Sequence, residues 1–188
     1  MASENVYFEI AARNGLQTAI YVRLLGAFAR PGLKKSQRIM ADIFIVIGTE
    51  SGNAQMVADC LEDEFAAQGH SVTVNDNAQA SDVTNGGRDV VLIVTATTGM
   101  GDLPSNIEPF ARALEGENAD LSSLRYGVVA LGDQTYQDTF CGAGKKMDAL
   151  FEKLGAKRIG ERLEIDACTQ PLPDEEAVKW AAEWVGLL

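Results

Sequence analysis

The stretch "IFIVIGTESGNAQMVADCLEDEF", Ile43 to Phe65, joins three unlike pieces. Ile43 to Ile47 is apolar at every position, as in a strand buried on both faces of a sheet. Val57, Leu61 and Phe65 recur at helical spacing. Between them, Gly48 to Gln55 is small and hydroxyl-rich. Such a turn leaves backbone N–H groups bare at a helix N-terminus, which suits an anion. It holds no Lys or Arg and no G-K-[ST], so a Walker nucleotide loop is excluded, and it is not G-x-G-x-x-G. An uncharged nest fits a monophosphate held without metal better than a triphosphate with magnesium.

Outward from this unit, apolar runs alternate with helical patterns, the signature of repeated βα units and a mostly parallel sheet. Strands are expected at Ile43 to Ile47, Ser71 to Asn75, Val90 to Thr95, Tyr126 to Leu131 and Lys157 to Ile165. Met147, Leu150, Phe151 and Leu154 mark a later helix, and a last one runs from near Asp174 to about Val185. Gly69 and Gly155 stand at C-terminal cap positions, and Trp180 and Trp184 are expected to pin the last helix to the body. The fold class is α/β, a doubly wound five-stranded parallel sheet of order 2-1-3-4-5 with helices on both faces. Ligands of such sheets bind outside the carboxyl ends of the strands, at the switch point. Strands one, three and four are neighbours in that order, and "GTESGNA", "TATTGMGDLPSN" and "GDQTYQDTFC" follow them. These loops are therefore expected to converge.

Gly99 and Gly101 let backbone approach a flat ligand and permit positive φ, and Tyr136 could stack on its ring. The chain has a net charge of −11, with six basic and two acidic residues in positions 1 to 39 (+4) and ten basic and 25 acidic in the rest (−15). An acidic body argues against nucleic acid and for a basic partner. Cys60, Cys141 and Cys168 have no C-x-x-C spacing, so neither a disulfide framework nor a metal site is suggested, and a reducing compartment is expected. No apolar run is long enough to span a bilayer.

At "GTESGNA", "ATTGMGDLPSN" and "LGDQTYQDTFCGAG" the chain resembles the flavodoxin family, over about Ala41 to Leu188. The C-terminal "EKLGAKRIGERLEID" and "LPDEEAVKWAAEWVGLL" are similar to short-chain, MioC-like members, with no insertion splitting strand five. The resemblance implies FMN as cofactor, its phosphate held by Thr49, Glu50 (main chain), Ser51, Gly52, Asn53 and Ala54. The isoalloxazine would lie between Thr97, Thr98, Gly99, Met100, Gly101 and Asp102 on one loop and the stretch from Leu131 and Gly132 to Cys141 on the other. Tyr136 matches the stacking tyrosine, Asp133 the rim, and Phe140 with Cys141 would close the pocket. Cys141 itself reads as a small buried thiol.

Thr98 and Met100 stand where the family often has an aromatic residue. Less aromatic contact on an electron-rich reduced ring is expected to raise the second reduction potential by roughly 40 mV for about 1 kcal/mol. Spectroelectrochemistry of Thr98→Tyr checks this: that potential should fall, and an unchanged or raised value counts against it.

The function expected is a cytoplasmic, monomeric electron carrier rather than an enzyme. It would shuttle single electrons from a flavodoxin- or ferredoxin-type NADPH reductase to an iron–sulfur or other metalloenzyme. No catalytic residue is expected: His70, the lone histidine, sits in a turn far from the loops. A flavin-dependent quinone or nitro reductase and a flavin-free interaction module are the alternatives. A signalling receiver domain needs a phosphorylatable Asp ending strand three, where this chain reads "VTATT". Residues 40–188 are expected to form the FMN-binding domain and residues 1–39 an N-terminal extension. For the extension an over-early start, a membrane-surface or targeting helix and a docking arm stay open. Glu4 and Glu9 weaken a transit peptide.

Overall fold

The structure, a computed structural model, describes residues 40–188 apart from Gly86, so the expectations for residues 1–39 lie outside the described residues. The elements run β1 (Asp42–Gly48), α1 (Asn53–Ala67), β2 (Ser71–Asn75), a one-turn α2 (Ser81–Thr84) and β3 (Val90–Ala96). They continue α3 (Glu108–Gly116), β4 (Arg125–Gly132), a 3-10 turn (Gln134–Thr139), α4 (Gly142–Lys153), β5 (Lys157–Arg158), β6 (Leu163–Asp166) and α5 (Pro173–Trp184). Strand order is β2-β1-β3-β4-β5, with β6 also on β4, and every strand pairing is parallel. The 2-1-3-4-5 expectation therefore holds.

Period-two alternation divides the core. Phe44 and Val46 of β1 join Phe110, Ala111 and Leu114 of α3 and Met147 and Phe151 of α4 on one face. Ile43, Ile45 and Ile47 join Val57, Leu61 and Phe65 of α1 and Ala177, Ala181 and Trp184 of α5 on the other. The helices thus cover both faces, which is why residues 43–47 of β1 and 90–94 of β3 are apolar at every position. Gly69 and Gly155 take φ of 93° and 90° after α1 and α4, as a left-handed helix end requires. Trp184 is buried and its indole N–H donates to the Ile159 carbonyl at 2.9 Å. Trp180 stacks on it at 5.2 Å between ring centroids.

One expectation needs correction: strand five is not continuous over Lys157 to Ile165. It is two short segments, β5 and β6, both on β4, broken at Ile159 to Arg162. Gly160 takes a φ of 65° in the break, while Arg162 turns inward to the buried Asp148 carboxylate of α4. The break sets four residues opposite two of β4, so β6 resumes the pairing shifted by two residues from the β5 register, and Asp166 lies beside Gly132 at the carboxyl end of β4.

Candidate flavin site at the carboxyl ends of the strands

Gly48 ends β1 where a Cβ would collide with the Thr95 hydroxyl of β3, so the strands could not lie this close with any other residue. Gly52 turns the chain into α1 with a φ of 87°, and its N–H donates to Thr49 Oγ1 at 2.9 Å. The amides of Glu50 and Ser51, and those of Asn53 and Ala54 in the first helical turn, find no acceptor among the described residues. The loop therefore presents a set of bare donors at the positive end of a helix dipole.

The second loop is a tight hairpin. Thr98 and Asp102 exchange backbone hydrogen bonds at 3.1 and 2.7 Å, and the turn is made by Gly99 and Gly101 at φ of 49° and 83°. Lys146 Nζ donates to Asp102 Oδ1 at 2.9 Å and is the chief reason that carboxyl is held below the usual range. In the third loop Asp133 accepts from the Thr135 N–H at 2.8 Å, and the next residue, Tyr136, is 66% exposed.

A cavity of about 520 Å³ opens between these loops, a size suited to a small cofactor. Among the residues expected from the sequence, Ser51, Asn53, Thr97, Thr98, Gly99, Leu131, Gly132, Asp133 and Tyr136 line it. The others do not form its wall. Thr49, Glu50 and Gly52 complete the first loop, and Ala54 is buried beneath it. Met100 points outward, 82% exposed, beside the Asp102 ion pair, and Gly101 packs on Gly142. Phe140 leans on the core behind, under the Lys145 ammonium. Cys141 is wholly buried at the N-cap of α4, its thiol donating to the Ala130 carbonyl at 3.3 Å, and burial pushes that thiol up to about 12. Such a thiol stays protonated and unreactive. His70 lies at the opposite end of the sheet, accepting from the Ala41 N–H that precedes β1.

A fourth loop, "DACTQPLP" after β6, was not anticipated from the sequence; it brings Ala167, Gln170, Pro171 and Pro173 to the cavity with Ile165. The rule that located the other three, a loop following a strand's carboxyl end, would have found it once applied to strand five. Asp166 organises this loop. Its carboxylate, 2% exposed, accepts from the amides of Gln134 at 3.0 Å and Cys168 at 3.1 Å and from the Thr169 hydroxyl at 2.8 Å. It thus ties the third loop to the fourth. Asp133, Asp166 and Cys168 bring ligand atoms within 4.8 Å of one another, and these atoms are engaged in holding the two loops together.

The Gln134 amide is the main cause that keeps Asp166 below the usual carboxylate range. A carboxyl with a lowered folded value stabilises the fold fully above its unfolded pKa of about 4 and loses that contribution as pH falls through the folded value. Asp166→Asn should therefore unfold at lower urea than the parent at pH 6, with the gap closing as pH falls below about 4. A gap independent of pH would mean the ionised form is not what the loops hold.

The family model for flavodoxin matches residues 45–180. The chain is 43% identical over 149 residues to Flavodoxin YqcA of Escherichia coli, covering 79% of this chain and 99% of that protein. It is 36% identical to Protein MioC of the same organism, with the same coverage. A solved structure of flavodoxin from Pseudomonas aeruginosa, carrying a single cysteine-to-alanine substitution, superposes with a TM-score of 0.73 at 32% identity, covering 78% of this chain and 98% of that one. Loops, topology and relatives agree, and the chain belongs to the flavodoxin family.

Proposed function

We propose that residues 40–188 bind FMN in this cavity and carry electrons singly from a separate reductase to an acceptor redox enzyme. The observation that carries the reading is the donor set of the first loop: amides at a helix N-terminus with no acceptor among the described residues, flanking hydroxyls and no Lys or Arg between Gly48 and Gln55. That set fits a phosphate, while the small-residue walls from Ala96 to Gly99 and from Leu131 to Asp133 leave room for a flat ring. FMN, when bound, supplies the one-electron chemistry.

The chain's own residues bind and orient. Thr49 Oγ1 already accepts from Gly52, which leaves the hydroxyl proton to be donated outward. Tyr136 offers an exposed face for stacking, and the Thr98–Asp102 hairpin keeps Gly99 at the cavity edge. A carrier needs no positioned acid, base or nucleophile, and the buried Cys141 thiol provides none. Glu50, Asp102, Asp133 and Asp138 lie on the three loops, and this acidic character suits fast, salt-sensitive docking on a basic reductase face. The three free cysteines suit a reducing compartment, and we assign the chain to the cytoplasm.

The test is the visible spectrum of the purified protein, release and identification of its flavin, and its reduction in the presence of NADPH. One FMN per chain, reduced only when a reductase is added, supports the carrier. Oxidation of NADPH by the protein alone would make it a flavin-dependent reductase. A colourless protein that does not take up FMN would overturn the reading.

A further inference from the structure

Ser105, Asn106 and Ile107, in the loop between β3 and α3, lie in reverse order against Glu50, Thr49 and Gly48. Ser105 N–H donates to Glu50 Oε1 at 2.7 Å, the main reason the Glu50 carboxyl sits below its usual range. Asn106 Oδ1 accepts from the Thr49 N–H at 2.9 Å, and its Nδ2 donates to the carbonyls of Ile47 at 2.9 Å and Asp76 at 2.8 Å. Flipping the amide would set its NH₂ against an N–H and its oxygen against two carbonyls, so these partners fix its orientation. Ile107 closes the row: its Cγ2 lies 2.8 Å from where a Gly48 Cβ would be. Asn106 thereby joins the carboxyl ends of β1 and β2 to the loop that leaves β3.

None of the three residues lines the cavity. Each acts on the residues of the first loop. With the Thr49 amide engaged by Asn106, the bare donors of that loop begin at Glu50, and the Thr49 hydroxyl is left to the Gly52 amide on one side and to a ligand on the other. We propose that Asn106 is the positioning residue of the anion loop, holding its donors in register and so setting the preference for a phosphorylated flavin over the same ring without phosphate. This rests on the FMN reading of the cavity and adds to it the residue that sets its phosphate selectivity. Removing the amide leaves the Thr49 N–H and the Ile47 and Asp76 carbonyls without their partner, and the loop can relax away from donor geometry without disturbing the ring pocket.

The experiment titrates the apoprotein with FMN and with riboflavin, following quenching of flavin fluorescence, for the unsubstituted chain and for Asn106→Ala. The Kd for FMN should rise roughly tenfold and that for riboflavin less than about twofold. Retained riboflavin affinity also reports that the variant is folded. Equal losses for the two flavins, as a purely structural role would give, overturn the proposal, and so does an unchanged FMN affinity. Should Asn106→Ala not fold, Asn106→Ser decides on the same ratio. Failure of the underlying reading appears elsewhere, in the unsubstituted protein, as binding of neither flavin or of both alike.

Discussion

Asp148→Ala is expected to lower the unfolding free energy by about 2–3 kcal/mol, or roughly 5–10 °C in Tm for a body of this size. The side chain of Asp148, on α4, is 5% exposed. Its Oδ1 accepts from the buried Tyr126 hydroxyl at 2.7 Å, and its Oδ2 accepts from Arg158 at 2.6 Å and from Arg162. Burial first, and then this carboxylate, raise the tyrosine's pKa, so the phenol remains a donor. Removing one member of a fully buried ion pair costs about 3–5 kcal/mol because the other is left unpaired. The expected loss is smaller here for a visible reason. The guanidinium side chains keep 35% and 22% exposure, and Arg162 retains Glu164 at 2.7 Å. Asp148→Asn, which keeps an acceptor for Tyr126 and loses the charge, should fall about midway. Urea unfolding of both variants checks this, and a change within about 0.5 kcal/mol for Asp148→Ala would mean the charges are solvated in the folded protein.

The same network explains what could be read from the sequence and what could not. β1, β3 and β4 were legible because a strand covered on both faces needs apolar residues in succession, a requirement met within each run itself. The break between β5 and β6 was not legible. It depends on Arg162 reaching a carboxylate on the preceding helix, and Asp148, one position from Met147, looks like an ordinary solvated charge on an amphipathic helix. No local period distinguishes a charge that turns inward because its partners lie on another element.

At the candidate site the division is similar. Gly48, Gly52, Gly99 and Gly101 announce their loops because backbone geometry demands small residues in a short span. Asn106 and Asp166 carry no such local signal, although each holds two segments together. Their partners, Thr49 and Gln134, are 57 and 32 residues away, and an Asn or Asp in a loop carries no mark of such a partner. Residues that offer backbone to a ligand are marked by local composition, whereas residues that hold the offering loops in place are marked only by partners distant in the sequence.

Ser51→Asp should weaken FMN binding on the order of a thousandfold while leaving the protein folded and able to hold riboflavin. Ser51 is exposed, lines the cavity and immediately precedes Gly52 at the N-cap of α1, in the loop whose amides have no acceptor among the described residues. A carboxylate there faces the same bare donors and helix dipole that would otherwise hold the phosphate, so it satisfies the apoprotein and stabilises it modestly. It also repels the phosphate. Two unit charges about 4 Å apart interact by about 4 kcal/mol at the effective dielectric of a protein surface, which corresponds to a loss on the order of a thousandfold in affinity. Ser51→Ala separates the contributions, since it removes one hydroxyl donor and adds no charge; its Kd for FMN should rise by about three- to tenfold. Isothermal titration with both flavins measures the effect. If Ser51→Asp binds FMN as tightly as the parent, the phosphate does not sit on this loop. If it loses riboflavin as well, the substitution has disturbed the ring pocket and the charge is not the cause.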